Sequence, residues 1–307
     1  MSWKKKGRIF QPNGEFGWMT SHAQVPTIHV MEDRFRVFFS TRNSNGKSLT
    51  ACVDLDKDDP KKMKHLYEEP VLGFGKPGTF DDEGVMPSYV VKHHHQLLLY
   101  YSGWNQRVSV PYHNAMGLAV SDDDGVSFRR MYDGPIMDRT VTEPYLAVTP
   151  SVLKENNGWK MWYVSGTAWK LVDQKYEPIY VIKYAHSQDG IVWQRSNITC
   201  ILQHDEHEAF SHPNVLKMDD IYHMWYCYRD SYDYRDGRGS YRLGYARSID
   251  GIKWQRKDDE IGIVFSPEGW DSSMMCYPYV VKDNDKLIMF YNGNGFGKSG
   301  FGYAIYE

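Results

Sequence analysis

No stretch of this chain approaches the roughly 18–20 consecutive apolar residues that a membrane-spanning helix needs. The N-terminal Met-Ser-Trp-Lys-Lys-Lys carries charge with no apolar run behind it, so no secretory signal is expected and the expected location is the cytoplasm. Cysteine is scarce. Cys52, Cys200, Cys227 and Cys276 lie far apart and form no C-x-x-C pair, which argues against a disulfide frame or a zinc site and makes them small core hydrophobes. An excess of charge is lacking too: 36 basic against 39 acidic residues gives a net charge of −3, with no basic stripe. That composition excludes a nucleic-acid partner held by phosphate neutralisation. The glycine-rich run from Asn292 to Gly297 precedes no predicted helix, so it does not read as a phosphate-cradling dinucleotide loop, and neither metal nor cofactor is expected.

Aromatic residues are abundant, at 15% of the 307 residues, with 26 glycines beside them. That usage favours strands and turns over helices. Five prolines open matching segments: Pro26 (PTIHVMEDRFRVFFSTR), Pro87 (PSYVVKHHHQLLLYYSG), Pro150 (PSVLKENNGWKMWYVSG), Pro213 (PNVLKMDDIYHMWYCYR) and Pro278 (PYVVKDNDKLIMFYNG). Each reads as an apolar strand, a polar turn and an aromatic strand. The prolines are 61, 63, 63 and 65 residues apart, so five copies of about 62 residues fill the chain.

The second half of each copy repeats as well. AVSDDDGVSFRR from Ala119, AHSQDGIVWQRS from Ala185 and ARSIDGIKWQRK from Ala246 share Ser-x-Asp-Gly turn chemistry followed by an aromatic residue that begins a further strand. Four antiparallel strands repeated five times predict an all-β, five-bladed β-propeller, a single domain over residues 1–307. The last copy lacks a fourth strand. Trp3 to Phe10 matches the Trp-x-Arg…apolar pattern of the other fourth strands, so the N-terminal strand is expected to close the ring.

In a propeller the loops entering the innermost strands build the site at one mouth of the channel. Here those loops are rich in carboxylates. Glu143, Glu206 and Asp271 each lie seven residues before their proline, and Asp82 and Glu208 lie five before theirs. Equal offsets in repeated units predict convergence on one cavity, with Asp81 and Glu83 as surface neighbours of Asp82. Glu206 and Glu208 compete for a single role. His22 and Gln24 occupy the first loop, and His212 precedes Pro213. Arg42 and Arg229 end second strands, where they can bind a carboxylate or phosphate fork to fork. Trp104, with Trp18, Trp169 and Trp270, offers a face for a sugar ring.

These repeats, the AxSxDGxxW hairpins and the carboxylates before the prolines resemble the five-bladed propeller glycosidases, glycoside hydrolase families 32, 43, 68 and 130. The segment GWMTSHAQVPTI with RVFFSTR looks most like glycosidase-like proteins of bacterial surface-polysaccharide gene clusters. The resemblance implies an enzyme acting on a glycosidic bond, with carbohydrate as its partner. It implies Glu143, in TEPY, as general acid and Asp82, in FDDEG, as the carboxylate that raises its pKa. The first copy departs from the pattern, having Ser21-His22-Ala23-Gln24 where the base would stand. Asp271 or His22 is then the expected base, or phosphate replaces water as co-substrate, bound by Arg42 and Arg229. Glu208, Gln24, His212 and Trp104 complete the expected substrate contacts. A phosphorylase or glycosyl-transferring enzyme and a non-catalytic glycan-binding propeller are the alternative readings.

Overall fold

A computed structural model of the protein describes residues 2–235 and 237–307. Its strands follow the copies of the repeat in groups, the first two joined into one eight-stranded sheet by a parallel contact between Ser48 and Gly84 and the rest forming three four-stranded antiparallel sheets. The first holds β2 (Ser21–Val30), β3 (Arg34–Arg42), β4 (Ser48–Asp56) and β5 (Met63–Leu66). The second holds β6 (Gly84–His93), β7 (Gln96–Gln106), β8 (Tyr112–Ser121) and β9 (Arg129–Arg130). The third holds β10 (Ala147–Glu155), β11 (Gly158–Val172), β12 (Lys175–Ser187) and β13 (Gln194–Thr199). In the fourth are β14 (Glu208–Met218), β15 (Ile221–Asp230), β16 (Arg242–Ser248) and β17 (Gln255–Arg256). The last group has β18 (Cys276–Asp283), β19 (Lys286–Asn292) and β20 (Phe301–Tyr306), and its outer strand is β1 (Trp3–Phe10) from the opposite end of the chain. The β1–β20 ladder runs antiparallel from Trp3 opposite Tyr306 to Phe10 opposite Phe301.

The first strands of the groups touch in cyclic order: β2 meets β6, β6 meets β10, β10 meets β14, β14 meets β18, and β18 returns to β2. Side chains stitch that ring together. Ser151 Oγ accepts from Val215 N at 2.9 Å, Asn214 Oδ1 from Val280 N at 2.9 Å, and Asn292 Oδ1 from Val25 N at 2.8 Å. The Ser-x-Asp-Gly turns tie the groups together further out. In each, the serine hydroxyl accepts the glycine N–H, as in Gly190 N to Ser187 Oγ at 2.9 Å, and Gly190 takes the left-handed φ of 76° that the turn requires. The turn carbonyl then accepts a second-strand aromatic of the preceding group: Tyr100 Oη donates to Gly190 O at 2.8 Å, and Trp162 Nε1 to Gly251 O at 2.7 Å.

Each repeat proline interrupts its ladder, because it has no N–H to donate. The pairing slips between Gln24 and Thr27, Pro87 and Tyr89, Val148 and Ser151, Ser211 and Asn214, and Cys276 and Tyr279. Four of the residues before these prolines have positive φ: Val25 (56°), Thr149 (43°), His212 (51°) and Tyr277 (52°). A β-branched residue in that region is strained by about 1–3 kcal/mol. The four cysteines are buried and unpaired.

Candidate functional site

Three groups carry the same internal lock, a buried carboxylate with a second-strand tyrosine and a fourth-strand cation, and the fourth group carries a variant of it in which two carboxylates share the roles. Glu143 lies 2.9 and 3.1 Å from Tyr163 Oη, accepts from Ser165 Oγ at 3.0 Å, and pairs with Arg195 at 3.1 Å and Lys183 at 3.6 Å. Asp271 accepts from Tyr291 Oη at 2.9 Å and pairs with Lys5 of β1 at 2.7 Å. Asp81 accepts from Tyr101 Oη at 2.9 Å and pairs with Arg130 at 2.7 Å. In the fourth group Arg256 grips Glu208 at 2.7 and 2.8 Å and Asp258 at 2.6 Å, and Tyr226 Oη donates to Asp258 at 2.6 Å. Burial, and then the adjacent carboxylate, push all four phenols well above the ordinary tyrosine range, so they stay protonated donors.

The lock explains the missing carboxylate of the first copy. There the equivalent second-strand residue is Phe39, which has no hydroxyl to donate, and buried Met19, Phe10 and Phe301 pack in its apolar surroundings. Where the tyrosine goes, the acid and the cation go with it. Group one has an apolar cluster where the other groups have a polar one.

These contacts place the expected catalytic carboxylates outside the cavity. Glu143 is 2% exposed and Asp271 1%, and neither lines it. Asp82 is half-buried and caps its own loop, accepting from Gly78 N at 2.8 Å. The carboxylate in its group's lock is Asp81, fully buried where a surface neighbour was expected. Glu208 is the buried member of its pair, and Glu206 is exposed against Lys170. The oxygens of Glu143 and Asp271 are engaged by fixed donors, whereas Asp82 Oδ1 is buried with no partner among the described residues.

The cavity itself has a volume of about 350 Å³, within the range of small-ligand sites. Its lining includes Val25, Met86, Thr149 and Tyr277, the residues before four of the repeat prolines, and among the described residues no carboxylate lines it. Gln24, Arg42, Trp104 and Arg229, four of the expected residues, do line it. Trp104 is fixed by its Nε1 bond to Ser48 Oγ at 2.7 Å. Sequence reasoning missed Tyr112, Tyr180, Tyr234, Arg235 and Tyr241, which line the cavity from strand ends and loops. Arg229, 2% exposed, is a pillar among these aromatics: its guanidinium sits 3.7 Å from the Tyr234 ring centre and donates to Tyr241 Oη, Ser231 Oγ and Pro178 O. Asn114 Oδ1 and Thr149 Oγ1, also at the cavity, have no hydrogen-bond partner among the described residues. Such buried orphans are rare unless a ligand or water satisfies them.

The two expected histidines lie outside the lining. His22 is half-buried, its Nδ1 2.9 Å from Ser21 Oγ; burial, then Arg42 and Lys298, lower its pKa to about 4. His212 is buried with both ring nitrogens unpartnered, and burial lowers its pKa to about 3. The unfolded chain takes up that proton near pH 6.5, the folded one only near pH 3. Between those values the unfolded state binds more protons, so stability falls as the pH drops below about 6.5, by about 1.4 kcal/mol per pH unit for such a group. Unfolding free energies from denaturant titrations at pH 7 and pH 5 should therefore differ by about 2 kcal/mol more in the native protein than in His212→Gln. Equal pH slopes in the two proteins would count against a buried neutral His212.

Sheets arranged in a ring about a central cavity are a propeller, and solved glycoside hydrolases resemble this chain over nearly its whole length. BT0996, solved as an RGII complex, is 17% identical with a TM-score of 0.76, the match covering 98% of this chain and 90% of that one. A thermostable family-43 glycoside hydrolase is 16% identical at a TM-score of 0.67, covering 96% and 91%. A Bombyx mori GH32 β-fructofuranosidase is 13% identical at a TM-score of 0.60, covering 93% and 61%. The chain thus has the glycosidase-like propeller fold, and at these identities the likeness is one of fold alone. The sequence adds a closer kinship. The uncharacterized protein Rv1502 of Mycobacterium tuberculosis strain H37Rv is 35% identical over 309 residues, 100% of both chains, and MT1551 of strain CDC 1551 matches equally. The chain belongs to that family. No family model matches it.

Proposed function

We propose that the protein is a single-domain, five-bladed propeller closed by its N-terminal strand, and that it recognises carbohydrate in the cavity beside Trp104. The observation that carries the reading is the lining: aromatic faces and unpartnered Asn114 and Thr149 groups, with no carboxylate among the described lining residues. An indole or phenol face packs on the apolar side of a sugar ring, while free amide and hydroxyl groups take up its hydroxyls. Of hydrolysis, transfer to phosphate and binding, the lining favours binding. Hydrolysis by the common route requires two carboxyl groups facing each other across the sugar, about 5–9.5 Å apart. The unpaired Arg42 keeps the phosphate-dependent reading as the second choice. The buried, unpaired cysteines suit the reducing cytoplasm.

Saccharide titrations followed by calorimetry test this, with Trp104→Ala as the control. Removing the indole should weaken binding about 5- to 150-fold, the equivalent of about 1–3 kcal/mol, with little change in melting temperature. Turnover of unactivated glycosides by the native protein without phosphate, unaffected by Trp104→Ala, would refute the reading.

A further inference from the structure

Among the described residues, the cavity wall holds arginines that make no ion pair. Arg42 ends β3 half-buried at the cavity. Its Nε donates to Gln24 Oε1 at 3.3 Å, and among the described residues its guanidinium makes no ion pair. Arg229, on the same wall, is held by neutral groups only. Arg235 differs, since Glu177 neutralises it fork to fork at 2.9 and 3.1 Å. Among the described residues neither Arg42 nor Arg229 makes an ion pair, and Lys298 adds to the field around His22. Burial, with Arg235 adding to it, holds the Arg42 pKa below its ordinary value, an arrangement unfavourable to the protein alone.

We propose that the carbohydrate bound here carries an anionic group, a phosphate or a carboxylate, gripped by the free edge of Arg42 within the field of Arg229. This rests on the carbohydrate reading above. A planar guanidinium fork matches either anion with two parallel hydrogen bonds. A bare inorganic anion accounts for less of the site. Asn114 Oδ1 is an acceptor and takes a hydroxyl donor, of which a sugar ring presents several beside its anionic group and inorganic phosphate only the one or two P–O–H groups it keeps at neutral pH. The site therefore suits a ligand that presents hydroxyl donors and negative charge together, which is the chemistry of an acidic sugar.

The test is calorimetric titration of the full chain at low salt with methyl glucoside, glucose 6-phosphate, glucuronate and inorganic phosphate, repeated with Arg42→Gln. At least one acidic sugar should bind about tenfold or more tighter than methyl glucoside and weaken as salt is added. Arg42→Gln should erase that advantage, about 10- to 100-fold, bringing the acidic sugars down to the affinity the same variant shows for methyl glucoside. The preference between glucose 6-phosphate and glucuronate identifies the anion. Acidic sugars bound no better than methyl glucoside, without salt dependence, overturn the anionic ligand and leave the carbohydrate reading standing. Inorganic phosphate bound as tightly as glucose 6-phosphate, with methyl glucoside and glucuronate unbound, overturns the sugar instead. Failure of all four to bind overturns both. Were Arg42→Gln to unfold, the salt dependence of the native protein would decide between the same outcomes.

Discussion

Deleting residues 2–11 should leave no cooperatively folded monomer at 25 °C. The segment contains β1, the outer strand of the last group, and its loss strips the β20 ladder bare. It also removes Trp3, 6% exposed and packed edge-on to Trp225 with ring centres 6.2 Å apart, and Phe10, packed on Phe39. Truncating one buried Trp or Phe typically costs about 3–5 kcal/mol. Lys5 leaves as well, stranding Asp271 as a buried charge, which adds about 3–5 kcal/mol. Together these rival the roughly 5–15 kcal/mol that holds a typical domain folded. The exposed Phe301–Tyr306 edge should then recruit other chains. Thermal unfolding with size-exclusion chromatography reads both effects, and a stable truncated monomer would show that β1 is dispensable.

Glu143→Gln should lower stability by about 3–5 kcal/mol while leaving saccharide affinity within about twofold wherever the variant is folded. Glutamine fills the same volume but leaves Arg195 and Lys183 without their counter-charge, and its amide group must face one of the donors that now surround the carboxylate. The opposite outcome belongs to a general acid: unchanged stability and a loss of about 10²–10⁴-fold in turnover. Chemical denaturation and glycosidase assays on one preparation separate the two. Arg195→Met in the Glu143→Gln background should cost less than the sum of the single changes, because the two residues share one lock.

The fold was legible because prolines, Ser-x-Asp-Gly turns and aromatic strands recur at near-constant spacing, and each has one dominant structural consequence. The Trp3 match to the other fourth strands pointed to the strand that pairs with β20. The site was less legible, and the acids show why. Distance from a proline fixes where along a loop a residue lies, not which way its side chain turns. Glu143 and Asp271 turn into their sheets, where Tyr163 and Tyr291 await them. The signal was present in another register: an aromatic residue followed two positions later by a cation, in Trp3–Lys5, Phe128–Arg130, Trp193–Arg195 and Trp254–Arg256, together with a second-strand tyrosine. The replacement of that tyrosine by Phe39 in the copy that also lacks the acid was the clearest mark of a structural role. The cavity's tyrosines had no such signature. Tyr112, Tyr180, Tyr234 and Tyr241 stand in hairpins and loops whose lengths differ from copy to copy, so no repeat brings them into line.

A crystal of the intact protein soaked in acidic oligosaccharides puts the central claim to its most direct test. The account predicts sugar density stacked on Trp104, a carboxylate or phosphate oxygen on the Arg42 fork, and undisturbed Glu143–Arg195 and Asp271–Lys5 pairs. Sugar density against Glu143 or Asp271, with those ion pairs opened to receive it, would contradict the account and restore the carboxylates as the catalytic groups.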